Sequence, residues 1–392
     1  MRAEIDKRAM AAISLGHLAI DFAAGGLPAL LPFLVSRFHL SYTLAAVVML
    51  VSTLSSSIVQ PFFGLWSDRR GAFWLLPSGV AIGGIGMAIA AASPTYGVVL
   101  LFVGLSGLGT AAYHPEGGKF AAYASGRKRA SGMSIFSVGG NIGYGLGALA
   151  TTPLVLWLGL RGGLFLMVPC VAAGAFLVWL SPFLKTFEPE RHAHAARAGE
   201  DQRGAMIVLL SVILFRSLSW FGLLTFVPLW EVSLGHSKSY GNHLLALMLL
   251  AGAVGPLVAG PAADRFGRRT VMLVSSFCSP GLVLAFLLVG GTPGAVALAL
   301  NGAAVIGTYG VTMVLSQEYL PRHIAMASGL AIGFAIGLGG IAAVVLGAVA
   351  DSVDLRTALY VSAVAPVAAF LLTTLLPSGR QRRQLAPETV TP

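Results

Sequence analysis

The sequence predicts an all-α membrane protein: twelve transmembrane helices arranged as two pseudo-symmetric six-helix bundles. Three observations predict it. Only 10% of the 392 residues are charged and 56% are hydrophobic, with a mean hydropathy of +0.83, whereas a soluble domain is about a quarter charged. Apolar runs of helical length follow one another along the whole chain, and the second half repeats landmarks of the first. The composition excludes an ordinary soluble enzyme, a disordered chain and, despite a formal charge of +10, a nucleic-acid binder. The 49 glycines lack a collagen period. Cys170 and Cys278 both sit in apolar segments, where they build neither a disulfide framework nor a metal cluster.

The apolar runs lie near 10–36, 43–65, 73–92, 96–123, 131–157, 161–184, 206–231, 241–263, 270–290, 294–318, 325–350 and 356–377. Crossing about 30 Å of hydrocarbon takes roughly 20 helical residues, so each run is read as one span. The first is too long for a signal-peptide core and is followed by no cleavage site. None shows the ten-residue alternation of a barrel strand. Twelve spans place both termini on one side. With that side taken as the cytoplasm, its segments hold 19 basic residues, against 4 on the other side (Arg37, Arg161, Lys238 and Arg356). The expected location is therefore the inner (plasma) membrane, with both termini cytoplasmic. The polar stretch from Lys185 to Arg203 divides six spans from six. The expected organisation is an N-terminal bundle over 1–184, a linker over 185–205, a C-terminal bundle over 206–378 and a tail over 379–392. His192 and His194 in the linker read as solvated residues, and no metal site is expected.

Asp264 follows Asp68 by 196 residues, half the chain. Gly64-Leu65-Trp66-Ser67-Asp68-Arg69-Arg70-Gly71 follows the second span, and Gly260 to Arg269, containing Asp264-Arg265-Phe266-Gly267-Arg268-Arg269, follows the eighth. Pro32 and Pro228 match at the same offset, and Ala130-Ser131-Gly132 and Ala327-Ser328-Gly329 open the fifth and eleventh spans. Repeated halves imply two similar bundles with a site between them.

The loop pattern G-x-x-x-D-R-x-G-R-R, complete in the second half and degraded in the first, resembles the signature of the major facilitator superfamily. The resemblance implies two bundles rocking around a central cavity by alternating access. It also implies that Asp68 and Asp264, with Arg69, Arg265 and Arg268, pair across the cytoplasmic seam when the cavity faces outward; a solvated turn with topogenic arginines is the other reading of these loops. Gly16-His17-Leu18-Ala19-Ile20-Asp21, Tyr113-His114-Pro115-Glu116-Gly117-Gly118-Lys119 and Ser134 to Gly143, which includes Asn141, are similar to segments of fosmidomycin-resistance proteins, a subfamily of proton-driven drug exporters. Gly147-Ala148 departs from the Gly-Pro of the related antiporter pattern.

Few ionisable residues remain inside the spans, and an ionised group at the centre of a lipid-exposed helix costs about 2.5–3.5 kcal/mol, so such residues usually face a cavity. They are His17, Asp21, His114, Glu116, Lys119, Arg216 and Glu318, the last near an edge. At 1.5 Å per residue His17, Asp21, His114, Glu116 and Arg216 reach similar depths, roughly 12–18 Å from the cytoplasmic ends, so one cluster is geometrically open to them. His17 and Asp21 share a helix face, and Glu116 and Lys119 are spaced to pair. Pro115 with Gly117-Gly118 predicts a locally irregular helix. Asp21, Glu116, His114 and His17 are the proton-coupling candidates, with hydrogen-bonded packing an equal reading for His17. Arg216, Lys119, Tyr113, Trp220, Phe221, Phe226, Tyr309 and Asn141 are the substrate-contact candidates. Arg216 reads either as a partner for an anionic substrate group or as a counter-ion for Glu116. Gly139 and Gly143 in the fifth span, and Gly333 and Gly337 in the eleventh, recur every four residues and predict close helix approach at moving seams.

The functional expectation is a monomeric proton-coupled antiporter that exports small drug-like molecules, anionic ones such as fosmidomycin included. It would be driven by the proton gradient, with no cofactor and no catalysis; its partners are substrate, protons and lipid. A proton symporter importing a small organic anion is the alternative, and a membrane sensor or enzyme ranks below both.

Overall fold

The structure, a computed structural model, describes residues 4–70, 72–126, 129–187, 200–322 and 324–377, with backbone alone at 68–70, 129–131, 324–326, 328, 329, 332 and 334. The described residues form helices and no strand. They are α1 (Lys7–Phe38), α2 (Tyr42–Arg70), α3 (Leu75–Ala91), α4 (Tyr96–Ala124), α5 (Arg129–Leu158), α6 (Met167–Trp179), α7 (Ser181–Lys185), α8 (Arg203–Ser233), α9 (Lys238–Phe266), α10 (Arg268–Val289), α11 (Gly291–Gly307), α12 (Tyr309–Tyr319), α13 (Ile324–Ser352) and α14 (Leu355–Thr374). Ten apolar segments have the length and composition to cross a membrane, one of them running Gly132–Trp179. A 3-10 stretch at Gly159–Leu166, opened by the left-handed Gly159 (φ 62°), divides that segment into α5 and α6. Adding the shorter apolar helix α3 gives the twelve predicted spans, with α11 and α12 together making the tenth. The expected linker falls largely on 188–199 and the expected tail on 379–392, both outside the described residues.

Helix ends are marked by side chains that accept otherwise unpaired backbone N–H groups. Asp6 caps α1 through Ala9 N, Thr95 caps α4, Ser237 caps α9 and Asp354 caps α14. Pro115 does not break α4, which runs unbroken from Tyr96 to Ala124. A break does occur in the second half, where Thr308 separates α11 from α12, about one turn before the residues that correspond to Pro115. A proline removes one donor, which a helix buried among others tolerates.

Within the first half, α1 packs on α5 and α3 on α4; within the second, α8 packs on α14 and α9 on α11. The halves meet along α2–α13 and α5–α9. Hydrogen bonds tie them at the end away from the termini. Asn242 of α9 donates to Ala29 O (2.8 Å) and to Thr152 Oγ1 (2.7 Å). Asp351, near the end of α13, accepts from Tyr42 N and Thr43 N at the start of α2, both at 2.8 Å. Towards the termini the seam loosens. A methyl group added at Gly347 would meet Thr43 Cα at 2.9 Å, one at Gly337 only Ser57 Cβ at 4.0 Å, and one at Gly333 nothing within 4 Å. One apolar core joins both halves at the closed end, while a second, around Leu209, Leu315 and Tyr319, belongs to the second half alone.

Candidate functional site

The ionisable residues do not gather into one cluster; they form separate groups. The first joins α1 to α4. His17 Nε2 stands 3.3 Å from Asp21 Oδ2, and His114 Nε2 stands 3.4 Å from Asp21 Oδ1. Helical spacing alone brings His17 and Asp21 together; only the packing of α4 on α1 brings His114. Each imidazole points its other nitrogen at a backbone carbonyl, His17 Nδ1 to Phe136 O (2.8 Å) and His114 Nδ1 to Thr110 O (2.9 Å). A carbonyl only accepts, so both rings carry their hydrogen on Nδ1. A neutral ring then presents a lone pair at Nε2 towards a carboxylate that also presents lone pairs. The arrangement attracts only when a cation lies between them. The Asp21 side chain is 16% exposed and that of His114 24%, so small ions can reach the group. His17 is the more buried and stacks on Phe136 at 4.0 Å.

The second group joins α4 to α2. Glu116 is wholly buried, and its Oε2 lies 2.9 Å from Lys119 Nζ. Ser67 Oγ donates to Glu116 and accepts from Lys119. Ser67 belongs to the repeated motif, which the structure places on the last turns of α2 up to Arg70 rather than in a loop, so this pair braces the end of α2 against the interior of α4. Lys119 thus has partners of its own.

The third group is in the second half. Arg216 of α8 is buried, and its Nη2 donates to Val305 O (3.0 Å) and to Thr308 Oγ1. These atoms sit at the break between α11 and α12. A cation there offsets the partial negative charge of a helix C-terminus, and it adds a charged donor to a carbonyl that Thr308 N and Thr308 Oγ1 also reach. Arg216 does not pair with Glu116, and its bonded nitrogen is committed to the helix joint. Tyr309, just beyond the joint, is 38% exposed.

Of the expected aromatic contacts, Tyr309 is part-exposed and the others are buried. Tyr113 is buried and donates its hydroxyl hydrogen to Ile13 O (2.5 Å). Trp220 and Phe221 are buried, and so is Phe226, which meets the Tyr42 ring across the closed end. Their large apolar surfaces fill the core of α8. Asn141 is partly buried on α5. Of the gating candidates, the side chains of Asp68 and Arg69 lie outside the described residues. Asp264 and Arg265 are exposed, and Arg268 Nη1 pairs with Glu318 Oε1 at 2.5 Å within the second half. Gly139 and Gly143 sit against Ser14 and Leu18 of α1, a seam inside one half rather than between halves; a methyl group at Gly143 would meet Leu18 Cα at 2.8 Å. Gly333 and Gly337 make no such approach. Sequence reasoning missed Asp351, Asn242 and Thr308. Each acts on a partner in another helix and carries no local spacing signal, although Asp351 and Asn242 are polar residues at the ends of apolar runs.

The family model described as Major Facilitator Superfamily matches residues 13–237 and 209–391. An uncharacterized MFS-type transporter of Bacillus subtilis, YfnC, is 31% identical over 95% of this chain and 93% of its own length. The fosmidomycin resistance protein of Escherichia coli K12 is 30% identical, with the same coverage of 95% and 93%. A solved bacterial homologue of the human lysosomal transporter Spinster superposes with a TM-score of 0.75 at 17% identity, over 94% of this chain and 96% of that one.

Proposed function

The chain belongs to the major facilitator superfamily and is a multi-pass membrane transporter, and from that premise we propose that it is a proton-coupled antiporter exporting small drug-like molecules. Anionic compounds of the fosmidomycin type come first among these, given the relative that confers resistance to that drug. The observation that carries proton coupling is the Asp21 carboxylate held between His17 Nε2 and His114 Nε2. With both Nδ1 hydrogens fixed, protons on the Nε2 atoms are what bind the three groups together. Taking up or losing them changes the charge of the crevice between the halves. Asp21 is the main carrier in this reading. Glu116, bound by Lys119 and Ser67, serves a gate at the end of α2 rather than the proton path.

The excess of basic residues near the termini supports a cytoplasmic placement of that face in the inner membrane. The tied end is then the outer one, and the crevice opens to the cytoplasm, the side from which an exporter loads. Purified protein in proteoliposomes under an imposed pH gradient, with fosmidomycin as substrate, tests the proposal. Asp21→Asn is expected to abolish gradient-driven transport. If Asp21→Asn transports as well as the unaltered protein, the proton path runs elsewhere. Direction is read in whole cells: collapsing the gradient raises drug accumulation for an exporter and lowers it for an importing symporter.

A further inference from the structure

We propose that His17, Asp21 and His114 also form a binding site for one divalent transition-metal ion, of the zinc or cobalt class, open to the crevice. Their donor atoms all lie within 4.8 Å of one another. His17 Nε2 lies 3.3 Å from Asp21 Oδ2 and His114 Nε2 lies 3.4 Å from the other carboxylate oxygen, Oδ1; each is close to the edge of a tetrahedron built on metal bonds of about 2.0–2.1 Å, and a turn of the carboxylate is needed to offer one oxygen to both nitrogens. Imidazole and carboxylate are the ligand types such ions take.

The outer contacts are those of a metal site too. A ligating histidine ordinarily gives its other ring N–H to a carbonyl or carboxylate, which fixes the tautomer and aims the lone pair at the ion. Both rings do this, through Phe136 O and Thr110 O on two different helices. Ring orientation is thus set before any ion arrives. His17 is further anchored by stacking on Phe136, and the His114 side chain is the more exposed of the two. Tyr113, Tyr144 and Cys170 are the other titratable groups sensing Asp21, and Lys119 and Arg216 are engaged elsewhere. Three protein ligands leave a fourth position, as in metal sites that keep one place for water or an anionic oxygen.

This inference rests on the same three residues as the proton reading, and it makes ion and protons competitors. Binding a divalent ion displaces the Nε2 protons. Full-length protein in nanodiscs, stripped with a chelator, is titrated with Co2+ as the spectroscopic probe and then with Zn2+ as competitor. One Co2+ per chain with a tetrahedral-type visible spectrum, displaced by Zn2+ with proton release, is expected. Asp21→Asn and His114→Gln, both close in shape to the originals, should each weaken binding about 100-fold or more, the upper end of what loss of a mere supporting contact costs. His236→Gln, which alters a histidine paired with Glu231 near the opposite face, should leave it unchanged. Absence of stoichiometric Co2+ binding, or an affinity in Asp21→Asn and His114→Gln equal to that of the unaltered protein, overturns the site. Transport by the chelated protein under a pH gradient separates the two ideas. Gradient-driven transport without metal binding sinks the metal site alone, and metal binding with undiminished transport by Asp21→Asn sinks the proton reading alone.

Discussion

At the scale of single residues, the buried charges are the most demanding feature. Glu116 has no exposure, and Lys119 and Ser67 satisfy one of its oxygens. Removing one partner of a buried pair leaves an uncompensated charge, at a cost of about 3–5 kcal/mol. Lys119→Ala is therefore expected to lower the thermal unfolding temperature sharply, and adding Glu116→Gln to it should restore most of the loss. Arg216 has a different task. Its bonds to Val305 O and Thr308 hold a broken span together. Hydrogen bonds to a charged group are worth about 1.5–3 kcal/mol, so Arg216→Ala should destabilise by that order in a thermal melt. Arg216→Lys keeps the charge but loses the planar fork, so it should recover the loss only in part. The i,i+4 spacing of His17 and Asp21 and the i,i+3 spacing of Glu116 and Lys119 were legible in the sequence. The addition of His114 to one pair and of Ser67 to the other was not, because those contacts cross between helices.

At the scale of elements, equal sequence patterns have unequal consequences. The glycine rows of α5 and α13 share a spacing of four. The α5 row lies against the backbone of α1, whereas Gly333 in α13 faces open space. Gly143→Ala should cost about 1–3 kcal/mol by overpacking, and more where the obstacle is backbone that cannot turn aside, as Leu18 is. Gly333→Ala should be neutral or stabilising by up to about 1 kcal/mol, since alanine is the better helix former. Thermal unfolding of the two variants side by side checks this contrast. The same holds for proline and helix breaks. Pro115 leaves α4 whole, and the break in the tenth span occurs at Gly307-Thr308, where Arg216 donates to the joint.

At the scale of the whole molecule, the halves are latched at one end. Asp351 works as a cap on α2 supplied from the opposite half, and Asn242 bridges α9 to α1 and α5. Losing a cap costs about 0.5–2 kcal/mol. Asp351→Ala is therefore expected to weaken the closed end by that amount, and 1 kcal/mol shifts the balance of two states about fivefold. Spin labels on α2 and α13 near that end should show a longer-distance population growing in Asp351→Ala. An unchanged distance distribution would mean that the apolar core alone keeps the end shut.

The sequence by itself determined the class of protein, the twelve spans and the two-fold repeat. Those follow from properties each segment carries alone: enough apolar length to cross hydrocarbon, too few charges for a water-facing surface, and landmarks 196 residues apart. The family resemblance was legible for the same reason, since its motifs are short and contiguous. Only the tertiary structure decided which end is closed, that His114 rather than Glu116 meets Asp21, that Arg216 secures a helix joint, and that Trp220, Phe221 and Phe226 are buried in the core. Helix periodicity fixes which residues share a face of one helix. It does not fix the rotation of one helix against the next, and across that rotation residues far apart in the chain become one site.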